Sequence, residues 1–79
     1  MTTKLSNFRK QIDKIDELIV ILLAKRMKIV RKIGRVKKKN SLPALDKTRW
    51  QKVVKSKKGF MKKIWEIIHK ESLKVEEKI

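Results

Sequence analysis

Two basic side chains in the first half of the chain have the spacing of ligands for a small anion. Arg26 and Lys37 are eleven residues apart, which is close to three whole turns, so on one helix both would emerge from the same face about 16 Å apart along the axis. Long cationic side chains at that separation can converge on an anion that lies between them. The pair therefore indicates binding of a small molecule with more than one negative charge.

A third cation, Arg9, cannot reach that anion from the same helix. It lies seventeen residues before Arg26, a distance of about 25 Å along a helix axis. In an antiparallel pair of identical chains, however, Arg9 of the partner subunit would come close to Arg26 and Lys37. We therefore expect a composite site built from two subunits.

Polar residues in the second half of the chain could complete the site. Asp46 and Arg49 are one turn apart where a second helix should begin, and Ser72 and Glu76 have the i, i+4 spacing that places them on one face of a third helix. Burying such groups is costly unless they are paired. A bound dicarboxylate would supply the missing partners for the cations.

A long first helix must position Arg9, Arg26 and Lys37. From Phe8 to Val36 the residues on one stripe recur at alternating steps of four and three, and Arg26 alone interrupts the apolar series. This is the heptad repeat of a coiled-coil-like helix. With Ser6 as predicted N-cap and an end at residues 40–43, "NSLP", the helix would have about 33 residues and a length of about 50 Å.

Two shorter helices follow. Asp46 is the predicted N-cap of the second helix. The segment "KSKKG" at 55–59 is predicted to close it, with Gly59 as a good C-terminal stop. A third helix is predicted from Phe60 to about Lys78 with Ser72 on its apolar stripe. Two helices of this length cannot cover the first one. We therefore expect an all-α fold of three helices per chain, one single domain over residues 1–79, and a homodimer in which the long helices pair.

Composition narrows the chemistry. The chain has 24 Lys and Arg against 8 Asp and Glu, a net charge of +16, and no cysteine. Such a charge favours anionic partners, while one histidine and scattered acids lead us to expect no metal. No apolar run approaches the roughly 18 residues of a membrane span, and the N-terminus lacks the apolar core of a secretory signal. We expect a cytoplasmic protein with no membrane partner.

The sequence resembles the all-helical chorismate mutases over nearly its whole length. The resemblance rests on "FRKQIDKIDELIVILLAKRMKIVRKIGRVK", a proline-containing loop, "D-x-x-R", and a terminal helix that ends in "ESLKVEE". It implies an intertwined homodimer with two shared active sites. It also implies an isomerase that converts chorismate to prephenate in phenylalanine and tyrosine biosynthesis, without a cofactor.

The resemblance also implies roles for the three residues of the first helix. Arg9 from the neighbouring subunit and Arg26 would each bind a substrate carboxylate. Lys37 would contact both a carboxylate and the ether oxygen of the substrate. Arg26 and Lys37, together with Glu76, are the catalytic residues that the resemblance implies.

The remaining substrate-binding roles fall on the second and third helices. The backbone of Asp46 would help to hold the ring hydroxyl, and Arg49 would line the site. Ser72 would bind the ring carboxylate, and Glu76 would form a hydrogen bond with the ether oxygen. The chain departs from the family at Trp50, where a glutamate that grips the substrate hydroxyl is common.

A second departure is the segment between the second and third helices, which is shorter by about three helical turns than in longer members of the family. It predicts a stunted second helix and a more open site. Some short members are activated by the enzyme that opens the aromatic pathway, so the resemblance allows an activating partner enzyme here too.

Other interpretations of the same residues stay open at this point. Isochorismate pyruvate lyase shares the fold and the cationic site, and sequence separates the two activities poorly. The chain could also be a basic helical nucleic-acid binder, with "VKKKN" and "KSKKGFMKK" contacting phosphates. It lacks a recognition-helix motif and an aromatic platform, so we expect no nucleic-acid partner. Gly34 is expected to permit a close helix approach, and His69 is expected to be exposed without a role.

Overall fold

Three α-helices make up the fold, which a computed structural model describes for residues 2–79. They are α1 (Thr2–Lys39), α2 (Lys47–Lys55) and α3 (Phe60–Glu77), and the described residues contain no strand. The all-α prediction of one long and two shorter helices is therefore confirmed. The chain measures 59 × 24 × 14 Å, and α1 alone accounts for the longest dimension. Among the described residues, no helix is long and apolar enough to cross a membrane.

The two ends of α1 differ in how well the sequence predicted them. The helix already begins at Thr2, so the prediction of Ser6 as N-cap is wrong. Nothing in the "TTKL" that precedes Ser6 breaks a helix, and the first turns therefore extend through it. The end at Lys39 is where it was expected. There Ser41 adopts a φ of 55° and Leu42 N–H donates to the Lys37 carbonyl at 2.7 Å, which closes the helix with a Schellman-type turn.

The boundaries of α2 were predicted correctly except for the residue that stops it. Asp46 is the N-cap, as predicted, because its Oδ1 accepts a hydrogen bond from the Arg49 backbone N–H at 3.0 Å. The prediction that residues 55–59 close α2 is confirmed, since the helix ends at Lys55 with Ser56 as its C-cap, but Gly59 is not its stop. Gly59 has a φ of 60° and lies directly before α3. It provides the left-handed conformation needed to enter α3, which a glycine adopts without steric cost.

The core of the single chain is thin and lies where α3 packs against α1 and α2. Its buried apolar residues are Val30, 6% exposed, and Ile68, 7% exposed, and the polar Ser72 is buried as deeply, at 6%. Gly34 confirms its predicted role. A Cβ atom there would lie 3.2 Å from the Glu76 Cα and 2.7 Å from a methyl carbon of Ile79. Only glycine lets α1 and α3 approach this closely, which brings Glu76 next to α1.

The heptad stripe of α1 is not the face that α3 covers. Ile29 and Val36, both on the stripe, are 56% and 58% exposed. The face that contacts α3 is rotated by part of a turn and includes Met27, Val30 and Gly34. The single chain thus leaves the apolar stripe uncovered, as expected for a helix that pairs with a second copy. The homodimer itself stays a prediction.

Candidate active site

A cleft of about 260 Å³ opens between the C-terminal half of α1, the start of α2 and α3. Its walls combine apolar side chains, such as Val30 and Val53, with polar ones. Six of the seven predicted substrate-binding residues line it: Arg26, Lys37, Asp46, Arg49, Ser72 and Glu76. The structure therefore brings together residues from three helices that were predicted to share a site, although it contains no ligand that tests their roles.

Arg26 is joined to the opposite wall of the cleft through Ser72. Its Nη1 donates a hydrogen bond to the Ser72 hydroxyl at 2.8 Å. That hydroxyl in turn donates to the Ile68 carbonyl, one turn earlier in α3, at 2.7 Å. A guanidinium has five N–H donors, and within the described part of the chain only one of them is used. Arg26 is thus held in place with donors left over for an anion.

Lys37 connects α1, the loop before α2, and α3. Its ammonium nitrogen lies 2.7 Å from Glu76 Oε1 and donates to the Ala44 carbonyl at 2.6 Å. Both charged side chains are largely buried. By distance the contact is an ion pair, but Glu76 Oε1 is buried without a well-directed hydrogen bond among the described residues. This arrangement fixes the cation and leaves the carboxylate incompletely satisfied.

The start of α2 contributes a further cation to the cleft. The Asp46 carboxylate is used to cap α2, so it is held at the rim by the helix that it starts. Arg49, one turn further on, is exposed and also lines the cleft. Three cations, Arg26, Lys37 and Arg49, therefore surround one cavity, and their combined field favours an anionic ligand.

Arg9 is the predicted site residue that the single chain does not bring to the cleft. It is exposed in the N-terminal half of α1, about 25 Å along the axis from Arg26, and it is not among the lining residues. The prediction that it reaches the site from the partner subunit is consistent with this position and stays a prediction.

The sequence did not predict a stacked pair of aromatic rings in the cleft. Trp50 of α2 and His69 of α3 lie face to face, with ring centroids 3.9 Å apart and planes inclined by 11°. Both are half-buried and line the cleft, so the expectation that His69 is exposed was wrong. The spacing of His69 could have predicted its position in the cleft, because it lies three residues before Ser72 and seven before Glu76, on the same helix face.

The surroundings of His69 favour its neutral form. Burial is the largest cause that lowers the pKa of His69 from 6.5, and the charges of Arg26 and Lys37 lower it further, while Glu76 raises it. A neutral imidazole can both donate and accept a hydrogen bond. His69 is therefore a neutral side chain of the cleft that can both donate and accept, beside three cations.

Comparison with known proteins identifies the class to which this fold and cleft belong. The family model described as chorismate mutase type II matches residues 8–77 of the chain, a span that includes every predicted site residue from Arg9 to Glu76. The chain belongs to the type II chorismate mutase family. No match was found when it was compared with curated proteins and with solved structures.

Proposed function

We propose that this chain is a chorismate mutase, an isomerase that converts chorismate to prephenate on the way to phenylalanine and tyrosine. The observation that carries the proposal is the cleft in which Arg26, Lys37 and Arg49 face Ser72 and Glu76. Its volume of about 260 Å³ is close to the lower end of the range for small-molecule sites, roughly 300 Å³. Family membership and a cationic cleft of this size together support a small dicarboxylate as the substrate.

The two carboxylates of chorismate would meet cations and hydroxyl donors. Arg26, with Arg9 of the partner subunit, binds the carboxylate of the enolpyruvyl side chain. Ser72 at the opposite wall binds the ring carboxylate by turning its single O–H donor from the Ile68 carbonyl to the ligand, and Arg49 adds positive charge at the rim. In binding, the enolpyruvyl carboxylate takes the guanidinium donors that Arg26 does not use for Ser72, so the hydrogen bond between Arg26 and Ser72 need not break.

The reaction is an intramolecular [3,3] rearrangement in which one C–O bond breaks and one C–C bond forms. No atom enters or leaves the substrate, so neither a nucleophile nor a proton acceptor is part of the chemistry. The protein contributes by holding the enolpyruvyl group over the ring, which supplies part of the rate enhancement as orientation. The walls of the cleft and the cations at either end would impose this folded geometry.

Lys37 supplies the second contribution, which is electrostatic. The C–O bond breaks ahead of C–C formation, so negative charge develops on the ether oxygen. The Ala44 carbonyl accepts one of the three N–H donors of Lys37 and Glu76 is paired with its charge, so a donor remains for the ether oxygen. An ammonium ion already fixed at this point stabilises the transition state more than the ground state.

Glu76 would act in two ways. As the ion-paired carboxylate of the ligand-free cleft, it orients the Lys37 ammonium. To donate a hydrogen bond to the ether oxygen it must carry a proton, because a carboxylate only accepts.

The homodimer is also part of the proposal. The uncovered apolar stripe of α1 and the position of Arg9 both support two intertwined chains with two shared sites. A single chain would then hold an incomplete site, with the anion-binding Arg9 supplied by its partner.

The direct test is the loss of chorismate absorbance with purified protein, with prephenate identified as the product. Arg26→Ala is expected to lower turnover by about two to three orders of magnitude while leaving a folded dimer. Arg31→Ala is the matched control, because Arg31 is an exposed arginine of α1 that does not line the cleft. Turnover that survives in Arg26→Ala would place the site elsewhere. Salicylate and pyruvate formed from isochorismate would indicate the lyase instead.

A further inference from the structure

The stack of His69 on Trp50 fixes a hydrogen-bonding group at the wall of the cleft. With ring centroids 3.9 Å apart and nearly parallel planes, each ring covers one face of the other. The polar nitrogen atoms of both rings therefore lie at the edges of the stack. Such pairs are also stabilised beyond their buried area, so the imidazole plane is held by Trp50 before any ligand arrives.

The other polar side chains of the cleft are charged or already engaged. Arg26, Lys37 and Arg49 are cations, and Glu76 is paired with Lys37. The Asp46 carboxylate caps α2.

The neutral Ser72 hydroxyl is also engaged, because it accepts a hydrogen bond from Arg26 and donates one to the Ile68 carbonyl, and it is assigned to the ring carboxylate when substrate binds. His69 and the indole of Trp50 are the remaining neutral polar side chains of the cleft. An indole N–H can only donate, whereas a neutral imidazole can donate and accept.

The proposed substrate presents one group that matches this pair. Its carboxylates are suited to the cations and its ether oxygen to Lys37. The ring hydroxyl is neutral and can both donate and accept a hydrogen bond, as a neutral imidazole can.

We propose that His69, held by its stack on Trp50, binds the ring hydroxyl of the substrate and thereby positions the ring in the cleft. This inference rests on the proposed function. In this role His69 is a positioning residue, and it lies beside Trp50 in the wall of the cleft.

The experiment compares chorismate with its analogue in which the ring hydroxyl is replaced by hydrogen. In the wild-type protein, the analogue is expected to lose about tenfold in kcat/KM, chiefly through KM, because one hydrogen bond is lost. His69→Phe keeps an aromatic ring against Trp50 but has no ring nitrogen. It is expected to lose a similar factor on chorismate and almost nothing further on the analogue.

Two more variants separate hydrogen bonding from stacking. His69→Gln keeps a neutral donor and acceptor, and should recover part of the preference for chorismate over the analogue. Trp50→Phe keeps a ring for the stack and removes the indole N–H, and should retain the preference whatever its effect on turnover. Loss of the preference in Trp50→Phe would assign the hydroxyl to the indole and overturn the inference.

Other results of these assays would contradict the role of His69 or the proposed function. A wild-type protein that turns over both substrates equally well contradicts the role of His69, as does His69→Phe that loses the same factor on both. If circular dichroism shows that His69→Phe does not fold, His69→Leu takes its place in the comparison. A folded wild-type dimer without any chorismate turnover would overturn the proposed function, and this inference with it.

Discussion

The two halves of α1 belong to one continuous helix but have opposite surroundings. From about Leu23 onward the helix lies against α3 and supplies Arg26, Val30 and Lys37 to the core and the cleft. Residues 3–22 are exposed on all sides in the single chain. The large apolar side chains of this N-terminal half that are about half exposed or more are Leu5, Phe8, Ile12, Ile15, Leu18, Ile19, Val20, Ile21 and Leu22.

The uncovered N-terminal half of α1 favours a folding unit that is larger than the single chain. Residues 18–23 are apolar at every position, so this segment is hydrophobic around its whole circumference rather than along one stripe. A helix of that kind is normally buried on more than one side, which simple pairing along a seam does not achieve. An intertwined dimer, in which helices of both chains surround the N-terminal half, would cover it.

Charge points to the same arrangement. The acids of α1, Asp13, Asp16 and Glu17, all lie in the N-terminal half, whereas residues 25–39 contain nine Lys and Arg and no acid. Antiparallel pairing would bring the acids of one chain toward the basic half of the other. The same pairing moves Arg9 toward the cleft of the partner subunit, so assembly and site completion would depend on one orientation.

The largest effect is expected from a charge placed in the N-terminal half of α1. Ile15→Glu would require an unpaired carboxylate to be buried in the dimer, which costs several kcal/mol, so we expect loss of the dimer together with all turnover. Sedimentation gives the mass, and chorismate consumption gives the activity. Asn7→Glu adds the same charge to an exposed polar position of the same half and serves as control. A dimer that persists in Ile15→Glu would mean that the N-terminal half is not the interface.

Mixing two inactive variants tests whether the halves of α1 from different chains form one site. Arg9→Ala and Arg26→Ala should each lower turnover by about two to three orders of magnitude. After the two are unfolded and refolded together, half of the dimers should be mixed and each should contain one intact site, so activity should return to about a quarter of wild type. Wild-type chains taken through the same treatment provide the reference.

Recovery in that mixture would be hard to explain unless Arg9 crosses to the other subunit. If the mixture stays as inactive as its components although mixed dimers are detected by mass, Arg9 and Arg26 act within one chain or Arg9 has no role in the site.

A smaller effect is expected at the Lys37–Glu76 pair. Glu76→Gln removes the charge that pairs with Lys37 but carries an amide donor for the ether oxygen, whereas Glu76→Ala removes both. If the contact with the ether oxygen contributes to turnover, Glu76→Gln should retain more of it than Glu76→Ala. Initial rates of the two variants provide the measurement. Equal losses would mean that Glu76 acts only by orienting Lys37.

Helix boundaries depend on local sequence and were largely predictable. The side of each helix that faces its neighbours depends on how the helices pack together and was harder to predict. Asp46 caps α2 and Phe60 begins α3 because caps and breakers act within a few residues. The grouping of Ser72 with Glu76 followed from helical spacing alone. Which residues of α3 face the cleft depends on packing against two other helices. The periodic pattern placed Ile68 on the buried stripe, where it indeed lies, and left His69 exposed, although His69 lines the cleft.

The smallest predicted effect belongs to His69 and concerns stability. Its pKa in the folded chain is lowered from 6.5, first by burial and then by Arg26 and Lys37, against the opposing effect of Glu76. Below pH 6.5 the unfolded chain therefore takes up a proton more readily, and the stability contributed by the neutral imidazole, present above that pH, is lost as the pH falls through the lowered pKa. His69→Phe removes this contribution. Its melting temperature should fall less than that of the wild type between pH 7 and pH 5, by a small margin because His69 is only half-buried. Equal decreases in the two proteins would show that the surroundings of His69 in the cleft do not disfavour its charge.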